Sequence, residues 1–195
     1  KYIILPMTKQ TQTQRGLSQY DYEYHIAGDL VALPEFLVPT MSALSQLYQL
    51  TPMLAFRLDG PVYGKQRHRI TATGGAYTPT ETRMFEDNIF RCAQLAAEQQ
   101  GLVRPVSRPV LMVLIIGCVV PDGVQRRIAA GEKMQGFEFI PHSKPDRDNI
   151  SKSVADGCEK IVYDSDCRAF GSLELKVYGD KAYVHALFFE ASVGD

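Results

Sequence analysis

The sequence predicts an α+β fold, a mixed β-sheet with two packed helices in the order β-α-β-α-β-β, preceded by an N-terminal extension. Three observations carry that expectation. The stretch Pro109 to Val120 is apolar at almost every position, as in a strand buried on both faces. Phe85, Ile89, Cys92, Ala93 and Ala96 recur at the spacings of one helical stripe. Ala169 to Tyr178 and Ala182 to Glu190 read as two strands around Gly179-Asp180, which predicts a terminal hairpin.

The elements follow in order. Residues 1 to 20 are polar, rich in Thr and Gln and without a period, and read as a tail or arm. A short strand is expected near Tyr22 to Ile26. From Pro34 to Leu50, Phe36, Leu37, Met41, Leu44, Leu47 and Tyr48 predict an amphipathic helix. We place an N-terminal extension at residues 1–50 and the main domain at 51–195. Met53 to Leu58 reads as a strand, and the loop after it carries Gly60, Gly64, Gly74 and Gly75 around a basic cluster. Thr78-Pro79 opens a long helix to about Gln100, with Arg83 and Arg91 off its apolar stripe. The Gly- and Arg-containing stretch from Val120 to Ile140 is expected to be a long loop, and a second helix to run from about Asp148 to Ile161.

At 195 residues, 45% hydrophobic and 22% charged, the chain is long enough for one domain with a substantial core. Its longest apolar run, Val110 to Val120, is about half of what a bilayer-spanning helix needs, so a soluble protein with no membrane partner is expected. Lys1 to Met7 lacks the length and cleavage site of a secretory signal. Cys92, Cys118, Cys158 and Cys167 never fall at C-x-x-C spacing, which argues against zinc or a disulfide framework and predicts a cytoplasmic location. A net charge of −1 argues against a nonspecific, charge-driven polyanion binder. Locally the balance differs. Arg57, Lys65, Arg67 and Arg69 face only Asp59, while Arg126, Arg127 and Lys133 mark a second basic loop. Both clusters are suited to phosphate contacts.

The densest signal is KPDRDNISKSVADGCEKIVYDSD, Lys144 to Asp166. If Pro145 to Asn149 is extended, Asp146 and Asp148 face one side roughly 7 Å apart, where a hard divalent cation fits. Phosphodiester cleavage needs an activated water, a stabilised leaving oxygen and neutralised charge, and divalent ions held by carboxylates supply all three. Lys152 follows Asp148 by four residues and so shares its helix face, where an ammonium can meet a scissile phosphate. Each residue also has a plainer role: Asp148 as a helix cap, Lys152 with Asp156 as a surface pair, Asp164 and Asp166 in turns, His142 and His185 as structural or surface residues. The combination of three carboxylates, a lysine in phase and an upstream basic Gly loop favours a metal-dependent nuclease.

These residues also carry a likeness. His142-Ser143-Lys144-Pro145-Asp146-Arg147-Asp148-Asn149, followed by Lys152, Asp156 and Tyr163-Asp164-Ser165-Asp166, resembles the signature of the RusA family of Holliday junction resolvases. Upstream, Gly60-Pro61, Lys65-Gln66-Arg67-His68-Arg69 and Tyr77-Thr78-Pro79 resemble the N-terminal part of that family in the same order. The likeness spans roughly Leu54 to Glu190. It implies catalytic residues Asp146, Asp148, Lys152 and Asp166, with the three aspartates as ligands for Mg²⁺ (Mn²⁺ a substitute). It further implies a homodimer that cuts four-way branched DNA with paired nicks in recombination and repair. Lys65, Arg67, Arg69, Arg126, Arg127, Lys144 and Arg147 are the expected nucleic-acid contacts. The chain departs from the pattern at Pro145, Ser165 and His68, and none of these removes an expected ligand.

Two other functions stay open on the sequence: a non-cleaving module for branched DNA, and a Mg²⁺-dependent nucleotide hydrolase, although no G-x-x-x-x-G-K-[ST] loop is present. A helix from Asp148 to Ile161 would be about 20 Å long and would carry Asp166 away from Asp146 and Asp148. Convergence of the three carboxylates within about 6 Å therefore requires either a fold-back after Gly157, which we favour, or an Asp166 from the other protomer of a dimer.

Overall fold

A computed structural model describes residues 14–15, 23–25, 37–66, 69–70, 74–103, 105–133 and 140–193. The elements are β1 (Gln14–Arg15), β2 (Glu23–His25), α1 (Val38–Leu47), β3 (Gln49–Asp59), β4 (Arg69–Ile70), β5 (Ala76–Tyr77), α2 (Thr80–Gln100), β6 (Val110–Val119), α3 (Asp122–Ala129), α4 (Arg147–Cys158), β7 (Ala169–Gly179) and β8 (Tyr183–Ser192). Six strands form one mixed sheet in the order β1-β2-β3-β8-β6-β7, and β4 with β5 forms a small separate ribbon. The α+β expectation holds.

Strand β6 shows why its sequence is continuously apolar. Val110, Met112, Leu114 and Ile116 enter a core with Phe56, Phe85, Ile89, Ile150, Val154, Tyr163 and Phe188. Leu111, Val113 and Ile115 enter a second core with Leu37, Met41, Ala55, Leu187 and Phe189. The alternation of a strand delivers successive side chains to opposite faces, and here both faces are dry. The first core lies under α2 and α4; the second lies under α1, where Met41 is buried.

The terminal hairpin does not form. Strands β7 and β8 are separated by β6, which pairs in parallel with β7 and antiparallel with β8. The helices cover both apolar faces of β6 and a strand pairs with each of its edges, β8 crossing over to lie between β6 and β3 and pairing from Gln49↔Ser192 to Asp59↔Tyr183. The parallel β6–β7 pair needs a crossover, and the stretch from residue 120 to 168 with α4 supplies it. The expected long loop also contains α3. Asp122 sits in its first turn and Arg126 and Arg127 in its last, which complements the helix dipole, and no residue of α3 is buried.

Two further elements match their expectation. The early strand is β2, which adds to β3 through Glu23↔Asp59, Tyr24↔Leu58 and His25↔Arg57. The stripe of α2 is buried, Arg83 and Arg91 are exposed, and Gly101 closes the helix in the left-handed conformation at φ 76°. Arg67 and His68, most of residues 1 to 36, and residues 134–139 lie outside the described residues. All four cysteines are free. No helix among the described residues is long and apolar enough to cross a membrane.

Candidate active site

Helix α4 begins one residue earlier than its pattern suggests, and this changes the geometry of the acidic pair. Asp146 is the N-cap residue, with φ −68° and ψ 138°, and its side chain makes no capping bond. Asp148 lies inside the first helical turn. The two are therefore not related by the alternation of an extended segment, as expected, but by a helix start, where the i and i+2 side chains diverge. Both are solvent-exposed. Lys152 stands 3.6 Å from Asp148 across one turn of α4, each about two-thirds exposed. Carboxylate before lysine at i,i+4 is the favourable order, but an exposed pair is weak and leaves both groups available.

The basic Gly loop docks on this helix start. The Lys65 backbone N–H donates to the Asn149 carbonyl at 2.8 Å, and the Thr82 hydroxyl of α2 donates to the Gly64 carbonyl at 3.4 Å. A Cβ on Gly64 would stand 2.8 Å from Asn149 Cβ, so only glycine admits this approach. The Lys65 ammonium then donates to Glu86 at 2.7 Å and to Asp156 at 2.5 Å. Partial burial alone would lower its pKa; the hydrogen bonds to Asp156 and Glu86 outweigh that and raise it. Asp156, expected as a surface partner of Lys152, is thus held by Lys65. Lys65 in turn ties the loop to both α4 and α2.

The remaining basic residues sit in varied surroundings. Arg147 pairs with Glu174 at 3.3 Å, Arg127 with Glu132 at 2.8 Å, and the Arg126 side chain donates to the Asp122 carbonyl at 3.3 Å. Lys144 and Lys133 are exposed. Arg69 lies on β4, paired with Tyr77 of β5. Arg57 is occupied by the buried Asp59 at 2.6 Å and lies over the Tyr183 ring at 3.8 Å, so it belongs to the sheet. His185 is buried within β8, whereas His142 is exposed, with Nδ1 donating to the Ile140 carbonyl at 3.0 Å.

After Cys158 the chain does fold back. Glu159 is extended, Lys160 takes a positive φ of 68°, and the buried Tyr163 hydroxyl donates to the Ala155 carbonyl at 2.8 Å. Burial pushes that hydroxyl well above its ordinary pKa, with Cys158, Asp156, Glu159 and Asp166 adding to the effect, so it stays a donor. Asp164 accepts from Arg168 at 2.8 Å and from Ser107 at 2.7 Å, bonds that hold its carboxyl down to about 2. These contacts fix the short 3-10 turn Asp166–Arg168, on which Asp166 is exposed.

That turn does not reach the start of α4. It leads into β7 at Ala169, whereas Arg147 meets the same strand at Glu174, about 17 Å farther along at the rise of a strand. Among the described residues no three His, Cys, Asp or Glu side chains gather to hold a metal ion. The fold-back we expected does form and returns the backbone to α4, and it leads Asp166 into the first residue of β7, ahead of the mid-strand Glu174 that Arg147 meets. Asp146 and Asp148 each still present exposed carboxylate oxygens, the donor type that Mg²⁺ takes, commonly one or two with substrate phosphates.

A model of the endodeoxyribonuclease RusA family matches residues 59–185, more than half of the chain, from the buried Asp59 before the Gly loop to His185 of β8. The chain belongs to the RusA endodeoxyribonuclease family. No curated protein and no solved structure matched it. The span of the RusA match includes both the Gly60–Arg69 loop and the Asp146–Asp166 motif, the two segments that the fold packs together through Gly64 and Asn149.

Two residues beside this site had drawn no notice in the sequence. Asp146 opens onto a cleft of about 380 Å³ lined also by His142, Arg147, Glu174 and Lys176. Glu174 and Lys176 alternate with apolar Leu173, Leu175 and Val177 on β7. Charged residues at i and i+2 of an apolar strand were the signal available, since they share one face.

Proposed function

We propose that this RusA-family chain is a Mg²⁺-dependent endonuclease that resolves four-way DNA junctions as a homodimer. The observation that supports the reading is the docking of the Gly64–Lys65 loop on the first turn of α4, which sets that loop beside two exposed aspartates and an exposed lysine. A nuclease site needs both halves in one place.

In this reading Asp146 and Asp148 hold the cation, with Asp166 of the partner subunit supplying the third carboxylate. A bound divalent ion would neutralise the phosphate and lower the pKa of the attacking water. Lys152, one turn from Asp148, contacts the scissile phosphate or orients the water. Arg67, Arg69, Arg126, Arg127, Lys144 and Arg147 track the flanking backbone, a role that orients DNA and lends salt dependence. Two equivalent sites suit a substrate of two-fold symmetry.

The test incubates labelled four-way junction, matched duplex and nucleoside triphosphates with wild type and Asp148→Asn, with and without Mg²⁺. Wild type is expected to cut the junction only with Mg²⁺. Asp148→Asn should bind the junction but cut it at least ~100-fold more slowly, as expected for loss of a metal-ligating carboxylate. Binding without cutting by wild type would leave a non-cleaving junction-binding module, and triphosphate turnover would make it a nucleotide hydrolase.

A further inference from the structure

Asp146 carries no capping bond, so the direction of its carboxylate depends on the backbone that flanks it. From β7, that backbone is held on one side, and the side chain of the next residue on the other. The Lys176 ammonium donates to the Pro145 carbonyl at 3.2 Å and also to the Ser143 carbonyl. On the other side, Glu174 receives Arg147 at 3.3 Å, and the Ser172 hydroxyl donates to Glu174 at 2.7 Å. Residues 174 and 176 share one face of the strand, and they seize the residues immediately before and after Asp146.

We infer that Lys176 and Glu174 are positioning residues that set the Asp146 carboxylate for metal binding. This rests on the metal-site reading above. Two features favour positioning over a surface ion pair. Lys176 directs its donors at two backbone carbonyls, which orders a turn and leaves a carboxylate unneutralised. The Glu174 side chain is only 9% exposed, so its bonds to Arg147 and Ser172 lie in a partly dry setting where geometry is held tightly. Metal ligands tolerate little positional freedom, and groups that orient them matter for that reason. The two residues act through Asp146 and need not touch the substrate.

The test compares Lys176→Met, Lys176→Arg and Glu174→Gln with wild type by two readouts. The first is amide hydrogen exchange in the metal-free protein, which is independent of activity. Lys176→Met should raise exchange about tenfold across residues 140–148 while the amides of α2 keep their protection. Glu174→Gln should raise it in the same segment by less, and Lys176→Arg, which retains donors, should restore most of it. The second is the Mg²⁺ concentration for half-maximal junction cutting, expected to rise about 10- to 100-fold in Lys176→Met with junction affinity unchanged. Unchanged exchange in the segment overturns the inference, as does a loss of junction affinity at an unchanged Mg²⁺ requirement, which would make Lys176 a phosphate contact. If wild type cuts no junction, the functional reading fails while the exchange data still decide the grip. Should Lys176→Met fail to fold, Lys176→Arg and Glu174→Gln give the same comparison.

Discussion

At the scale of single residues, the site turns on Gly64, whose Cα lies against the first turn of α4. The sequence marked it only as one of several loop glycines, because nothing in a loop's composition reveals that a helix start 85 positions later will pack on it. An alanine Cβ there would sit 2.8 Å from Asn149 Cβ and 3.4 Å from its carbonyl carbon, neither of which is the free end of a flexible side chain. Gly64→Ala is therefore expected to cost about 1–3 kcal/mol in urea unfolding and to slow junction cutting, by prying the loop from the helix. The aspartates were legible by contrast. Asp146, Asp148 and Lys152 stand out through their types and spacing, and their exposure follows from a helix start at the surface.

Among elements, the packing of α2 on α4 sets where the aspartates stand relative to the sheet. Gly157 makes this approach possible: a Cβ there would meet Ile89 Cγ2 at 2.7 Å, Ile89 Cβ at 2.8 Å and the Glu86 carbonyl oxygen at 3.0 Å. Gly157 is the last residue but one of α4, which ends at Cys158 near the early end that a fold-back after Gly157 requires. Glycine in a helix weakens it in isolation, and here close contact is the compensation. Gly157→Ala should thus destabilise by about 1–3 kcal/mol despite alanine's better helix propensity, measured as a lowered urea midpoint at unchanged m-value. A stabilised variant would show that the two helices separate without cost. The periodic stripe of α2 was readable because it runs along 21 residues, whereas α3 was not, since its eight residues carry only Val124 and Ile128 as a helical pair and none is buried.

At the scale of the whole molecule, β7 acts as a ruler. It places the Asp166 turn at one end and, through Glu174, the Asp146 turn farther along. A site shared between protomers makes a specific prediction. Asp148→Asn and Asp166→Asn homodimers should each be inactive, yet mixed by unfolding and refolding they should regain nicking, because one heterodimer site then combines an intact Asp148 with an intact Asp166. Continued inactivity of verified heterodimers would place all three carboxylates on one chain and require β7 or the 3-10 turn to move. Charge segregation matters at this scale too: a net charge of −1 is compatible with DNA binding because the basic residues cluster in the Gly loop and around α3.

The sequence by itself determined the α+β class, the buried central strand, the long α2 and the acidic motif with its lysine, because these rest on periodicity and local spacing that neighbours in the chain enforce. The tertiary structure decided the rest. It placed β8 between β3 and β6 and so removed the hairpin, it joined the Gly loop to α4 through one missing Cβ, and it gave Lys65 and Lys176 partners far along the chain. Strand order and side-chain partners depend on which surfaces must be buried together, and no local window of sequence contains both surfaces.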